Sequence, residues 1–225
     1  MKNILALLLL LFFTSVGAQE SKLGLTAGFN YSLQSHNGDL VGSPDLHFAP
    51  DAAFGGQGGI FYERTFGKFL IRPQALFYRS RGEYSFPNSS PIFTLDKLNF
   101  ELLLGYEIFR NIDLVVGPGY QNIVRNDFNV RGEDLRDNMS NLNIVSGLKI
   151  QLNKRLELSL MYDWTFDSDE NQTAVLPYNG SNEVFLLDDA RVNILTLNVS
   201  YAIFTIQNKS RANKRAKSGG RGCYF

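Results

Sequence analysis

The chain has a single cysteine, Cys223, so no disulfide can form within it and metal centres built on several thiolates are excluded. Histidine is nearly as scarce, with only His36 and His47. No apolar run approaches the roughly 20 residues that a spanning helix needs; the longest, Ile4 to Phe13, stops well short. Neither sign of charge dominates, since 22 Lys and Arg offset 22 Asp and Glu. No nucleic-acid or nucleotide motif is present, and no cofactor or metal is expected.

What the sequence does contain is alternation. From Asn141 to Phe166 it reads NLNIVSGLKIQLNKRLELSLMYDWTF. On the way in, Leu142, Ile144, Leu148, Ile150 and Leu152 share one parity, and Asn141, Asn143, Gly147, Lys149 and Gln151 share the other, which is a strand's period of two. After Asn153-Lys154 the apolar face is Leu156, Leu158, Leu160, Tyr162, Trp164 and Phe166, against Arg155, Glu157, Ser159, Met161, Asp163 and Thr165. Each arm is about a dozen residues long, beyond the five or six usual in soluble strands and enough for the roughly 9–11 that a tilted strand needs to cross a bilayer.

Six further segments alternate in the same way. They are Lys22 to Leu33, the glycine-rich Ala53 to Glu63, Ile71 to Tyr78, Lys97 to Ile108, Ile112 to Gln121, and Val192 to Phe204. Pro73 inside the third is an objection, because proline usually marks an edge strand. The connections between the eight strands run long, short, long, short, long, short, long: Gln34 to Asp51, Arg64 to Lys68, Gly82 to Asp96, Phe109 to Asn111, Arg125 to Asn138, Asn153-Lys154, and Asp167 to Asp189. An even number of strands with short turns at one end is the plan of an outer-membrane barrel. The predicted fold is therefore all-β, an eight-stranded antiparallel up-and-down transmembrane barrel. Lys2, the apolar run and the small residues up to Ala18 predict a secretory signal over residues 1–18, followed by the barrel over 19–208 and a basic periplasmic tail over 209–225.

With the N-terminus in the periplasm, two aromatic girdles follow. Phe29, Tyr31, Phe54, Phe77, Phe100, Tyr120, Trp164 and Phe166 fall at the outer rim, and Tyr62, Phe69, Tyr106 and Tyr201 at the inner one. The opposite parity predicts a polar lumen network of Lys22, Arg72, Glu101, Glu107, Asp113, Lys149, Arg155, Glu157 and Asp163, in which both signs occur and can pair. A soluble lipocalin-like barrel shares the strand count and alternation but points its apolar parity inward around a ligand. Parity alone does not separate the two; strand length and the rim aromatics favour the membrane.

The third strand, Ile71-Arg72-Pro73-Gln74-Ala75-Leu76-Phe77-Tyr78 with Gly82 beyond it, resembles the Leu-x-Pro-Glu-Leu-x-Tyr segment of the PorT-like outer-membrane β-barrel proteins, as does the Ala18-Gln19 signal end. It departs from that segment at Gln74, Ala75 and Phe77. The resemblance implies the barrel fold, an outer-membrane location and a role as accessory subunit of an envelope secretion or assembly complex. It brings no functional residue with it.

Candidate chemistry is sparse. His36 and His47 lie in the first external loop near Ser35, Asp39, Ser43 and Asp45, the residue types of a lipid-modifying enzyme, but no signature ties them together; the expectation is a structural or interaction protein, not an enzyme. Asp167, Asp169, Glu170, Glu183, Asp188 and Asp189 make the last loop acidic, which reads as solvated charge or as a loose divalent bridge to lipopolysaccharide. Gly55, Gly56, Gly58 and Gly59 lack the Lys-Ser/Thr of a phosphate loop and read as places where the wall bends. The expected partners are outer-membrane lipid and lipopolysaccharide, together with a periplasmic or membrane protein reached through the tail cations Lys209, Arg211, Lys214, Arg215, Lys217 and Arg221.

Overall fold

The computed structural model describes residues 20–33, 40–41, 47–48, 53–86, 90–129, 140–166, 172–178, 181–187 and 193–207. Eight strands close into one antiparallel ring: β1 (Glu20–Leu33), β4 (Ala53–Phe66), β5 (Phe69–Glu83), β6 (Ile92–Phe109), β7 (Ile112–Phe128), β8 (Leu142–Gln151), β9 (Leu156–Thr165) and β12 (Asn193–Gln207). Neighbours in the ring are neighbours in sequence except where β1 meets β12 and closes the wall. Every strand of the ring therefore has a partner on both sides, and the ring itself leaves no edge to aggregate.

The short connections are confirmed; two tighten, while the one expected at Asn153-Lys154 widens to residues 152–155 between β8 and β9. The turn expected over Arg64 to Lys68 narrows to Gly67-Lys68, because Arg64, Thr65 and Phe66 stay in register with Ile71, Leu70 and Phe69. Gly67 has a φ of 64°, the left-handed region that side chains avoid, at the first of the two turn residues. At the next short turn Asn111 takes a φ of 69°, which Asn tolerates.

Pro73 sits in a fully paired barrel rather than at an edge. It faces Leu102 on β6, while the β4–β5 pairing skips from Phe61↔Gln74 to Arg64↔Ile71, the stretch where proline has no N–H to donate.

Two long loops are shorter than expected. β6 begins at Ile92 and β7 runs to Phe128, so much of the segments read as loops continues the wall above the membrane. The last loop holds an unexpected hairpin, β10 (Gln172–Tyr178) with β11 (Ser181–Leu187), and β11 extends through β2 (Leu40–Val41) to β3 (His47–Phe48) as a second small sheet. Phe185 of this hairpin is fully buried and stacks on Phe86 with ring centroids 5.5 Å apart, so the external end has an apolar core of its own.

Candidate functional site: the filled lumen and the outer wall

The outward parity of the strands is apolar and exposed. Phe29, Tyr62, Phe69, Phe100, Tyr106, Tyr120, Trp164 and Tyr201 all point away from the lumen, with Phe29 76% exposed, and Tyr31 is half-buried beside Phe54 with rings 5.1 Å apart. At the inner rim Phe69 and Tyr106 face each other at 5.0 Å, and at the outer rim Trp164 meets Phe166 at 4.9 Å. Apolar outside and charged inside is the reverse of a soluble ligand-binding barrel, which overturns the lipocalin-like alternative. On β5 and β6 the outward face runs from the Phe69↔Tyr106 pair to the Arg79↔Asp96 pair, ten residues on. At about 3.3 Å per residue and a tilt of about 40°, that is a rise of about 25 Å, the height of an outer-membrane apolar band.

Inside, the charges converge. Toward the periplasmic end, Lys149 Nζ lies 2.5 Å from Glu63 Oε2, 3.1 Å from Asp113 Oδ2 and 3.9 Å from Glu157 Oε1. Arg72 Nη1 is 2.8 Å from Glu157 Oε2 and 3.4 Å from Glu63 Oε2, and Lys22 Nζ is 2.9 Å from Glu157 Oε1 and 3.6 Å from Glu63 Oε1. Arg72 Nη2 also donates to Ser200 Oγ at 2.8 Å, and its guanidinium lies 3.9 Å from the Phe61 ring centroid. Three cations thus meet Glu63, Glu157 and Asp113. An unpaired buried charge would cost several kcal/mol here, and the balance of signs avoids that cost. In the ring order β4 stands opposite β8 and β5 opposite β9, so Lys149–Glu63 and Arg72–Glu157 both span the bore.

A second cluster fills the external half. Lys97 Nζ lies 2.5 Å from Asp163 Oδ2 and donates to Gln121 Oε1 at 2.8 Å, while Asn143 donates to Asp163 Oδ1 at 2.6 Å. Glu101 accepts from Tyr78 at 3.0 Å, Gln74 at 2.6 Å and Asn99 at 2.8 Å. On β6 to β9 the two clusters are separated by an apolar layer of Leu103, Val115, Val145 and Met161, with Leu70 beside it. A cavity of about 10 Å³ near Arg72, Lys149 and Asn198 has room for about one water. A recess of about 100 Å³ at the periplasmic mouth is lined by Glu63, Glu107, Asp113 and Lys149.

Seven of the nine expected lumen residues are brought together in these clusters: Lys22, Arg72, Glu101, Asp113, Lys149, Glu157 and Asp163. Two are not. Glu107 is half-buried at the periplasmic mouth, where its carboxylate accepts the Asn111 N–H at 3.4 Å and touches neither cluster. Arg155 is exposed, because Asn153 Oδ1 accepts the N–H groups of both Arg155 and Leu156 at 2.8 Å and holds Arg155 in the turn. Glu63, Lys97, Tyr78, Gln121 and Asn143 join the clusters without having been in the expected network, although Asn143 lies on the parity already read as inward. Lys97 and Tyr78 share the inward parity and could have been found; Glu63 follows a glycine run that hides the facing of its strand.

Above the band, Arg79 donates from Nε and Nη2 to Asp96 at 2.8 and 2.7 Å, and Arg125 Nε donates to Asp127 Oδ1 at 2.7 Å. Arg125 faces outward because of a bulge: Asp96 pairs with Arg125 but Lys97 with Ile123, and the extra Val124 shifts the parity.

His36, Ser35, Asp39, Ser43, Asp45, Asp167, Asp169, Glu170, Asp188, Asp189, the segment 1–18 and the tail 209–225 lie outside the described residues, as does the side chain of His47. Among the described residues, no group of three His, Cys, Asp or Glu side chains is placed to hold a metal ion.

A closed, charge-filled ring with an apolar outer wall and aromatic rims defines a transmembrane β-barrel. The chain matches the family model described as the outer membrane protein beta-barrel domain over residues 4–202, and it belongs to that family, which places it in the outer membrane. Among solved structures it is similar in fold to OprG of Pseudomonas aeruginosa (TM-score 0.49, 11% identity, 85% of this chain and 99% of that one). It is also similar to Neisserial surface protein A (0.45, 13%, 81% and 98%) and to Ail of Yersinia pestis, solved with a heparin analogue (0.44, 11%, 85% and 100%). No curated protein matches the sequence.

Proposed function

We propose that this small outer-membrane barrel is a non-conducting structural or interaction protein, not an enzyme, and serves as an accessory subunit of an envelope secretion or assembly complex. The reading rests above all on the lumen, where Lys149–Glu63 and Arg72–Glu157 bridge opposite strands beside a cavity with room for about one water. A bore filled in this way has no path for solute, so the surfaces left for work are the wall, the external sheet and the two ends. The PorT-like pattern around Pro73 supports the subunit role. The tail cations Lys209, Arg211, Lys214, Arg215, Lys217 and Arg221 suit an acidic periplasmic or membrane partner, each worth about 1 kcal/mol beside anionic lipid.

Pull-down from detergent extracts with mass spectrometry of the eluate tests the subunit role. A reproducible envelope-complex partner is expected; an eluate of only lipids and abundant porins would count against it. His36→Ala and His47→Ala should leave the lipid A profile unchanged, and a lost modification would make the protein an enzyme.

A further inference from the structure

We propose that the outer wall across β5, β6 and β7 is a binding site for lipid A, with its phosphates on a row of arginines and an acyl chain in a groove below them. The groove is a concavity of about 550 Å³ in the apolar wall, floored by Pro73, Ala75 and Pro118 and flanked by Ile60, Phe100 and Tyr120. It is in the size range of pockets that hold small ligands, roughly 300–1,000 Å³. The small and ring-closed side chains on its floor leave a hollow that an acyl chain fills and a bulky residue would close.

Directly up the same strands stand three guanidinium groups. Arg79 and Arg81 share the outward parity of Ala75 and Phe77 on β5, and Arg125 is turned outward on β7 by its bulge. Arg79 is 53% exposed and Arg125 45%, while the Asp96 carboxylate beneath them is almost fully covered. Arg81 is exposed and makes no ion pair among the described residues. Three cations share this level with Asp96, Asp127 and the exposed Glu83 two residues beyond Arg81, so the signs balance. What the patch offers a phosphate is the guanidinium N–H groups that these carboxylates leave open among the described residues, at the level where the apolar band ends. The planar fork of arginine matches phosphate oxygens.

The two halves are in line. From Ala75 to Arg79 is four residues, roughly 13 Å along the strand, so a phosphate at the arginines places its chain beside Phe77 and then in the groove. The long connections put this end of the barrel outside the cell, in the leaflet that holds lipid A.

The test measures binding to the refolded full-length protein in detergent micelles. The probes are bisphosphorylated lipid A, its dephosphorylated form, phosphatidylglycerol and inorganic phosphate. Lipid A should bind at least tenfold more tightly than the dephosphorylated form and phosphatidylglycerol, and millimolar phosphate should not displace it. Ala75→Trp, which closes the groove, and Arg79→Gln/Arg81→Gln/Arg125→Gln should each weaken lipid A at least tenfold. Arg81→Gln alone unpairs no carboxylate, so it reports even if the triple variant does not fold, and should weaken binding severalfold.

Equal binding of the dephosphorylated form would overturn the proposal, as would unchanged affinity in Arg81→Gln and Ala75→Trp. Equal binding of phosphatidylglycerol would make the wall a generic anionic surface, and displacement by phosphate alone would make it a phosphate site without a lipid groove; either contradicts the assignment.

Discussion

Lys149 on β8 reaches Glu63 on the strand facing it across the bore, with 2.5 Å between Nζ and Oε2. Both side chains are almost fully buried, at 3% and 1% exposure. Lys149→Met leaves Glu63, Glu157 and Asp113 with less counter-charge and should destabilise the barrel by about 3–5 kcal/mol, read from urea unfolding of the folded protein in micelles. Lys149→Met with Glu63→Gln should recover a large part of that loss. A double variant as unstable as the sum of the singles would mean that the pair is not coupled.

The turn between β4 and β5 makes a smaller prediction. Gly67 holds a φ of 64° with nothing around it to clash, so the cost of a side chain there is purely conformational. Gly67→Val should cost about 1–2 kcal/mol, and Gly67→Asn much less, in the same unfolding assay. Equal losses for both would contradict the turn.

The membrane frame can be checked by fluorescence, because Trp164 is the only tryptophan. It stands on the outer girdle beside Phe166. In reconstituted vesicles its emission should be quenched more by lipids brominated near the headgroup than by lipids brominated deep in the chain. Deeper quenching would place the girdle, and the apolar band derived from it, at the wrong height.

How far the sequence could be read depended on unbroken periodicity. In β1, β8 and β9 a strict alternation set the facing of every residue, and Lys22, Lys149, Glu157 and Asp163 are in the lumen as that parity requires. Where the backbone departs from the period, the reading fails. The Asn153 turn removed Arg155 from the ladder, and glycines on both parities concealed Glu63. The hairpin of β10 and β11 was hidden for another reason: its Asn179-Gly180 pair is a strong turn signal, but the acidic residues around it read as loop. The apolar layer of Leu103, Val115, Val145 and Met161 shows that inward parity need not be polar, since a filled lumen is a protein core as well as a charge network.

Trypsin digestion compares the tail in two settings. With Lys209 to Arg221 free of a partner in the isolated barrel, cleavage there should be rapid, and in the native envelope it should slow. Equal cleavage in both would leave the tail without a role in docking.

The central claim is that the bore is filled, and single-channel recording tests it most directly. The purified protein in planar bilayers should show no stable conductance steps, because the diametric pairs Lys149–Glu63 and Arg72–Glu157 and the apolar layer beside them occupy the bore. Stable openings of porin size from the folded protein would contradict it.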